Sequence, residues 1–454
     1  MLLSFRVGNY RSFREEQSLS MLRSSRMHGS RGTDLSWDPA VSTVTGLYGA
    51  NASGKSNLLS AMSFFRGAVA ASHQRWGPET GVPRKPFLLD DACAALPSSL
   101  EMEFRDSGTR YQYGFETDDD RFTKEWLYAY PGSRRQTWFE REVSELGEVE
   151  WYFGKSLTGR NRVIADLTRS NSLFLSAAAA NGHTRLTPVH RWVTSRLRFA
   201  HPENRADMLR FTLEEIERRE GLSEDLREML RFADLGVRDF RITKQELDDD
   251  MRERFHDVVR ALAALGEKDP QLGPDSPNRP EPNVRGTGGT VQEVVKIELE
   301  HRRGDGSTVA LPFAAESAGT QAVVALAGPI FHCLRSGSTL LVDEIDASLH
   351  PSLVGHLIQI FRDRTSNPRQ AQLIFTSHDT SLLGTILADE PILARDQIWF
   401  VQKDECGASL LYPLTEFKPR KLENIERGYL QGRYGAVPFL DDVLLPRDPD
   451  PEKN

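Results

Sequence analysis

The sequence is poor in cysteine and contains no long apolar run. Its 454 residues include three cysteines, which are too few and too scattered for a disulfide framework or a Cys-rich metal site. No apolar stretch approaches the roughly 20 residues of a membrane span. Arg6 interrupts the short apolar start before a signal-peptide core can form. We therefore expect a cytoplasmic protein without a membrane partner.

The sequence also has no excess of positive charge, because 57 Lys and Arg residues stand against 65 Asp and Glu residues. The net charge of −8 argues against a protein coated with basic residues for nucleic acid, although it leaves room for a local basic groove. Basic residues concentrate in two places, early at Arg6, Arg11, Arg14, Arg23, Arg26 and Arg31, and late at Lys418, Arg420, Lys421, Arg427 and Arg433. Such charge runs are usually solvated faces, so DNA is kept only as an alternative partner.

The most informative stretch is GANASGKS at residues 49–56, called here the phosphate loop. It has the form G-x-x-x-x-G-K-[ST], with a strand-like run before it and a helix-like run after it, which is the context that the motif needs. Backbone N–H groups and a helix N-terminus can cradle phosphate oxygens. Lys55 would neutralise the β and γ phosphates, and Ser56 would bind Mg²⁺. The predicted nucleotide-binding residues here are Asn51, Ala52, Ser53, Gly54, Lys55, Ser56 and Asn57.

A second motif is TLLVDE at residues 339–344. Its apolar run predicts a buried strand that ends at Asp343, where ligands bind in an open α/β sheet. We expect Asp343 to join the Mg²⁺ site and Glu344 to polarise the attacking water. Two adjacent acids repel each other, so this pair is costly as a purely structural feature.

Two weaker motifs depend on their position in the chain. His378 follows the apolar run 372–377, and a strand next to the acidic one would bring its imidazole towards the γ-phosphate. Residues 316–321, called here the signature loop, precede a predicted helix. Ser317 and Gly319 there could contact an anion, although Ser317 is equally suited to capping its own helix.

Together, in this order, the four motifs resemble those of ABC-type ATPases in the branch that contains SMC, RecF, RecN and the OLD nucleases. The resemblance covers residues 1–70 and 310–402. It is strongest to small bacterial anti-phage ATPases of the RloA and AriA kind. The shared stretches are 48–57, DEID at 343–346, LHP at 349–351, TSHD at 376–379 and the tail GYLQGRYGAVP at 428–438.

This resemblance implies an α/β fold, an ABC-type P-loop ATPase head. It further implies a head-to-head homodimer with two ATP molecules at its interface, or a higher homo-oligomer formed through the ATP site. Ser317 and Gly319 would then complete the site of the opposite subunit, Asp346 would act across the dimer, and Arg11 would touch the nucleotide. The glutamine that usually contacts Mg²⁺ has no clear counterpart in this sequence.

The resemblance also suggests a domain plan. Residues 1–72 and 291–445 would form the two parts of the ATPase head. Alternating runs in 98–155 predict an antiparallel β meander, and 160–290 predict a helical insertion with a linker. The helix predicted at 251–265 and the Pro- and Gly-rich loop at 268–289 fall in that insertion.

The expected function is a sensor or regulator ATPase of a bacterial anti-phage defence module. After Asp379 we find no acidic cluster fit for a metal-dependent nuclease, so a separately encoded, nuclease-like effector is the expected partner. A RecF-like DNA-binding repair ATPase is the alternative. A third hypothesis is a switch that holds ATP with slow or no hydrolysis.

Overall fold

The computed structural model describes residues 1–23, 38, 40–132, 134–219, 221–233, 236–246, 293–388, 390–420 and 423–438. The predicted helix 251–265 and loop 268–289 lie outside these ranges. No helix in the described ranges is long and apolar enough to cross a membrane.

The described residues form sixteen strands and ten α-helices. The strands are β1 (Leu2–Gly8), β2 (Gln17–Ser20), β3 (Val44–Tyr48), β4 (Ser98–Asp106), β5 (Thr109–Thr117), β6 (Phe122–Tyr130), β7 (Gln136–Val143), β8 (Val149–Phe153), β9 (Leu197–Ala200), β10 (Val237–Glu246), β11 (Glu293–Arg302), β12 (Thr308–Pro312), β13 (Thr339–Val342), β14 (Gln372–Thr376), β15 (Ile398–Lys403) and β16 (Ser409–Pro413). The helices are α1 (Lys55–Ala71), α2 (Asp91–Ala95), α3 (Asn161–Asp166), α4 (Phe174–Ala180), α5 (Leu186–Ser195), α6 (Arg205–Arg218), α7 (Leu222–Phe232), α8 (Ala318–Ser336), α9 (Pro351–Arg362) and α10 (Ile425–Leu430).

One sheet is antiparallel and has the strand order β2-β1-β4-β5-β6-β7-β8. Its central strands alternate buried and partly exposed residues, as expected of a sheet with one face on the core. Strands β4–β8 form the predicted meander, and β1 and β2 extend the same sheet. The division between 1–72 and 98–155 stays a proposal, and it separates strands that share one sheet.

The second sheet has the order β16-β15-β3-β14-β13-β9, and all its strands except β16 run parallel. Strands β3, β13 and β14 are fully buried, which explains why they read as apolar runs. Because these strands are parallel, the phosphate loop, the acidic motif and His378 all follow carboxyl ends at one edge of this sheet.

Strand β9 corrects the sequence prediction. Within the predicted helical insertion 160–290, α3, α4 and α5 are helical. However, Leu197–Ala200 pairs in parallel with β13, with Ala200 opposite Val342. Four residues are too few to show a two-residue period, so only the pairing reveals this strand.

Helix α6 is hydrogen-bonded to α8 next to a proline inside α8. Pro329 has no N–H, so the carbonyl of Ala325 lacks its usual helical donor. Thr212 Oγ1 donates to that carbonyl at 2.9 Å and accepts from Gly328 N at 3.0 Å. A side chain on Gly328 would collide with Thr212. The amphipathic helices α6 and α7 are therefore packed against the helix that follows the signature loop.

A small antiparallel sheet, β10-β11-β12, leads into the signature loop. Strand β11 is its central strand, and His301 on β11 pairs with Val309 on β12. After β12 the chain makes one 3-10 turn, Phe313–Ala315, and enters the signature loop at Glu316. The small sheet is thus the immediate support of that loop.

Candidate functional site

The phosphate loop joins the buried strand β3 to α1 and needs glycine at both ends. A side chain on Gly49 would overlap the carbonyl oxygen of Val401, and one on Gly54 would overlap Ser409 Oγ. Gly54 also has φ +114°, a conformation that favours glycine. Lys55 and Ser56 begin α1, so their backbone N–H groups have no carbonyl partner within the helix. The loop therefore offers donors to an anion.

Within the loop, Asn51 and Ala52 are exposed, whereas Ser53 is buried. Ala52 has φ +59°, which turns the loop tightly. The Ser53 carbonyl accepts from Ser409 Oγ at 2.5 Å, and Ser409 Oγ lies 2.7 Å from Ser12 Oγ. Two segments remote in sequence thus hold the loop in shape.

Lys55 is buried against the loop that precedes it. Its Nζ donates to the carbonyls of Gly49 at 2.8 Å and Ala50 at 3.1 Å. Burial lowers the pKa of Lys55 to about 8, and the negative charges of Asp343 and Glu344 oppose that shift. A buried ammonium surrounded by carbonyl oxygens would gain most from a fully charged ligand such as a phosphate oxygen.

Asp343 is the centre of a polar network at the end of β13. It is 5% exposed, and its Oδ1 accepts from Ser56 Oγ at 3.0 Å and Thr376 Oγ1 at 2.6 Å. Its Oδ2 lies 3.1 Å from His201 Nε2. The two predicted Mg²⁺ ligands, Ser56 and Asp343, are therefore in direct contact. Thr376 and His201 complete the network.

These oxygen donors fit Mg²⁺. Mg²⁺ in phosphate sites is held by one or two carboxylates, a hydroxyl and substrate oxygens rather than by an all-protein cage. The described ranges contain no group of three or more His, Cys, Asp or Glu residues able to hold a metal. Ser56 and Asp343 would supply the protein side of such a site.

Glu344 directly follows Asp343 but faces solvent. Its backbone has φ +48°, an uncommon conformation for a residue with a side chain. Thr376 Oγ1 accepts from Glu344 N at 2.7 Å, and this bond holds the turn. The same hydroxyl thus fixes both acids, one through its carboxylate and the other through its backbone.

His378 and Asp346 meet at the same edge. The His378 N–H donates to Asp346 Oδ2 at 3.3 Å, and the His378 side chain is exposed. Partial desolvation and the charge of Lys55 lower the pKa of His378, against the opposing effect of Asp346 and other acids. His378 is therefore biased towards the neutral imidazole, which can still donate one hydrogen bond.

Arg11 lies beside the start of α1, as its predicted contact with a nucleotide requires. Its Nη1 donates to Asn57 Oδ1 at 3.2 Å, and Asn57 Nδ2 donates to Ser12 Oγ at 2.7 Å. The Arg11 N–H also donates to the Lys85 carbonyl at 2.6 Å. The structure thus brings Arg11 and Asn57 together, and their role in nucleotide binding stays a prediction.

Ser317 of the signature loop makes its hydrogen bonds within its own segment. Ser317 Oγ accepts from Thr320 N at 3.1 Å and lies 2.9 Å from Thr320 Oγ1, so Ser317 does cap α8. Gly319 approaches the Ser348 carbonyl so closely that a Cβ would stand 2.8 Å from it. Ser317 is exposed. Ser317 thus caps the helix of its own subunit, and its contact with the nucleotide of the opposite subunit stays a prediction.

Sequence reasoning missed His201, Thr376 and Ser409 as site residues. Thr376 stood in the TSHD motif but was assigned no role there. His201 gave no signal because β9 was not recognised as a strand. Ser409 contacts a loop more than 350 residues away, and no local pattern predicts such a pairing.

Comparison with known families gives a match over most of the chain. A model described as "AAA domain, putative AbiEii toxin, Type IV TA system" covers residues 44–384, which is well over half of the chain. The matched region runs from β3 through His378 and includes the phosphate loop, the signature loop and the acidic motif. A comparison with curated proteins gives no match.

Solved structures of low similarity also align along the chain. An SMC head domain from Thermotoga maritima has 14% identity and a TM-score of 0.37, and the alignment covers 91% of this chain and 98% of that one. An SmcHead bound to the C-winged helix domain of ScpA has 15% identity and a TM-score of 0.39, over 92% and 99%. An Smc head from Pyrococcus furiosus has 15% identity and a TM-score of 0.33, over 92% and 97%. The family assignment therefore depends on the family model and on the site itself.

Proposed function

Because the chain belongs to the AAA-domain family whose description names a type IV toxin–antitoxin system, we propose that it binds and hydrolyses ATP as a regulatory subunit of a bacterial anti-phage defence module. Its fold is the predicted α/β P-loop ATPase head of the ABC type. ATP binding would close a homodimer, and that closure would control a separately encoded effector in the cytoplasm.

One observation carries the ATPase part of the proposal. Ser56 Oγ and Asp343 Oδ1 are 3.0 Å apart at the edge of the sheet where the phosphate loop ends. Phosphates would bind the loop N–H groups and Lys55, with Ser56 and Asp343 holding Mg²⁺. When bound, Mg²⁺ would neutralise charge on the β- and γ-phosphates.

Hydrolysis would then require Glu344 and His378. The Glu344 carboxylate is exposed beside Asp343, where it can accept a hydrogen bond from water and orient it. His378 would donate a hydrogen bond to a phosphate oxygen. Neither residue is buried, which leaves room for a substrate between them and the phosphate loop.

The dimer part of the proposal follows from Ser317 and Asp346. Ser317 is exposed at the N-terminus of α8, and Gly319 beside it contacts the loop after β13. Asp346 Oδ1 is buried without a hydrogen-bond partner within the described ranges. An unsatisfied buried carboxylate oxygen is costly, and a group from a second subunit could satisfy it.

The effector part is supported by the sequence, and the family description supports only a two-component system. The description names a toxin of a toxin–antitoxin system, which is a two-component arrangement. The residues after Asp379 offer no acidic nuclease cluster. We therefore propose a nuclease-like protein as the partner, encoded separately.

Measuring the mass of the protein in solution tests the first two parts. With ATP and Mg²⁺, Glu344→Gln should accumulate a dimer that retains ATP, because the nucleotide binds but is not hydrolysed. Ser317→Arg should bind ATP as a monomer, and Lys55→Ala should bind none. If Glu344→Gln turns over ATP at the parent rate, the assignment of Glu344 is wrong.

The defence role needs a cellular test. Cells that carry this gene and its neighbouring gene should lose phage protection when Lys55 is changed to Ala. Unchanged protection would refute the defence proposal without affecting the ATPase proposal. Recovery of a nuclease with the purified protein would support the proposed partner.

A further inference from the structure

The signature loop is held on one side by its own helix. Gln321 Nε2 donates to the carbonyls of Phe313 and Glu316, each at 3.1 Å. Ser317 caps the helix through Thr320 N. These bonds fix the path of the main chain, but they all lie within one short segment. Through these bonds the segment is attached to α8.

The Glu316 side chain provides the link to another element. The Glu316 side chain is 6% exposed, and its Oε1 lies 2.8 Å from His301 Nε2 on β11. A carboxylate so far removed from water needs a hydrogen-bond donor, and a bond to a charged acceptor is stronger than a neutral one. His301 is 21% exposed and belongs to the central strand of the small sheet, so strand pairing on both sides holds its backbone in place.

A neighbouring ion pair on the same strand serves as a comparison for the His301–Glu316 contact. Glu300 pairs with Arg241 at 2.9 Å, and the Arg241 side chain is 60% exposed. Since successive residues of a strand point to opposite faces, Glu300 and His301 face away from each other. The His301 side of β11 contacts the signature loop through Glu316.

We propose that the His301–Glu316 contact positions Ser317 for the nucleotide of the opposite subunit. The inference deepens the proposed function and depends on the ATP-driven dimer. His301 is a positioning residue in this account, because it acts through Glu316 and Ser317. Within the part of the chain that the structure describes, the signature loop makes no hydrogen bond to the phosphate loop of its own subunit, so loss of the contact should spare ATP binding by a monomer and weaken dimer closure.

The test compares four proteins in a Glu344→Gln background, which retains ATP. They are the parent, His301→Ala, His301→Gln and Arg241→Ala. Gln places an amide N–H near the position of imidazole Nε2, so it should restore the bond to Glu316. Arg241→Ala removes an ion pair from the same sheet but not from the signature loop. Thermal melting of each variant checks that it is folded.

Two quantities are measured for each protein. The first is the affinity for a fluorescent ATP analogue, at protein concentrations where the monomer dominates. The second is the fraction of dimer formed with ATP, as a function of protein concentration. We expect His301→Ala to bind nucleotide like the parent but to need on the order of ten-fold more protein to dimerise, the loss expected for one hydrogen bond to a buried charged group. His301→Gln and Arg241→Ala should behave like the parent.

The outcomes separate the two proposals. If the parent dimerises with ATP and His301→Ala dimerises equally well, the positioning role is refuted and the proposed function stands. The role is also refuted if His301→Ala loses monomer nucleotide binding, or if Arg241→Ala is as defective. If the parent shows no ATP-dependent change in mass, the proposed dimer fails and this inference falls with it.

Discussion

Replacing Thr376 with Val tests whether one buried hydroxyl organises the two acids of the site. Thr376 is fully buried, donates to Asp343 Oδ1 at 2.6 Å and accepts from Glu344 N at 2.7 Å. Val has nearly the same shape and leaves no large cavity. The change therefore removes the two hydrogen bonds and little else.

The expected cost can be worked out from these bonds. A hydrogen bond to a charged group contributes about 1.5–3 kcal/mol, and a neutral one about 1 kcal/mol. Asp343 keeps Ser56 and His201 as partners, which reduces the penalty. We expect the free energy of unfolding to fall by about 2 kcal/mol. This loss would be measured by urea denaturation.

The effect on turnover should be larger than the effect on stability. Without Thr376 Oγ1, the Glu344 N–H has no partner in the described ranges, and the turn at φ +48° is held only by neighbouring main-chain bonds such as that from Ile345 N to the Thr376 carbonyl. A displacement of about 1 Å in a reacting group can cost roughly 100-fold in rate. We expect steady-state ATP hydrolysis to fall by about that factor, while ATP binding is retained because the phosphate loop is unchanged.

A matched control is available on the same sheet. Thr43 immediately precedes β3 and is fully buried, and its hydroxyl has no hydrogen-bond partner within the described ranges. Thr43→Val should leave turnover unchanged and leave stability equal or raise it slightly, because an unsatisfied polar group is removed. If Thr376→Val hydrolyses ATP at the parent rate, the hydroxyl does not organise Glu344 and the reasoning is wrong.

Three further predictions follow from single contacts. Gly54→Ala should abolish ATP binding and lower the free energy of unfolding by at least about 2 kcal/mol in urea denaturation, because Gly54 has φ +114° and a Cβ there would overlap Ser409. The control is Gly67→Ala in α1, where an added Cβ meets nothing within 4 Å. This change should raise the free energy of unfolding by up to about 1 kcal/mol. His201→Leu should weaken Mn²⁺ binding to the ATP complex by about ten-fold in electron paramagnetic resonance titrations, because Asp343 Oδ2 loses its partner; equal affinity would remove His201 from the site. Duplex DNA should show no salt-sensitive binding with or without ATP, and an affinity that falls steeply with salt would instead favour the RecF-like alternative.

The local sequence was sufficient for the elements whose signal lies in consecutive residues. The phosphate loop lies between a strand and a helix within one short stretch and has glycine at the positions where its backbone needs glycine. Consecutive residues therefore predict its conformation. The buried strands β3, β13 and β14 read as apolar runs because both of their faces are covered. The prediction that Asp343 and His378 lie close together needed only one rule, that the carboxyl ends of parallel strands meet at the same edge of a sheet.

Tertiary structure decided what depends on pairing between remote segments. Strand β9 has four residues and no readable period, and its pairing with β13 alone places His201 on Asp343. The bond from Thr376 to both acids and the contact of Ser409 with the phosphate loop arise in the same way. Such contacts are set by which strands become neighbours, and that choice is made by the packing of the whole sheet. The sequence by itself thus determined the chemistry of each motif, and the fold decided which side chains hold those motifs in place.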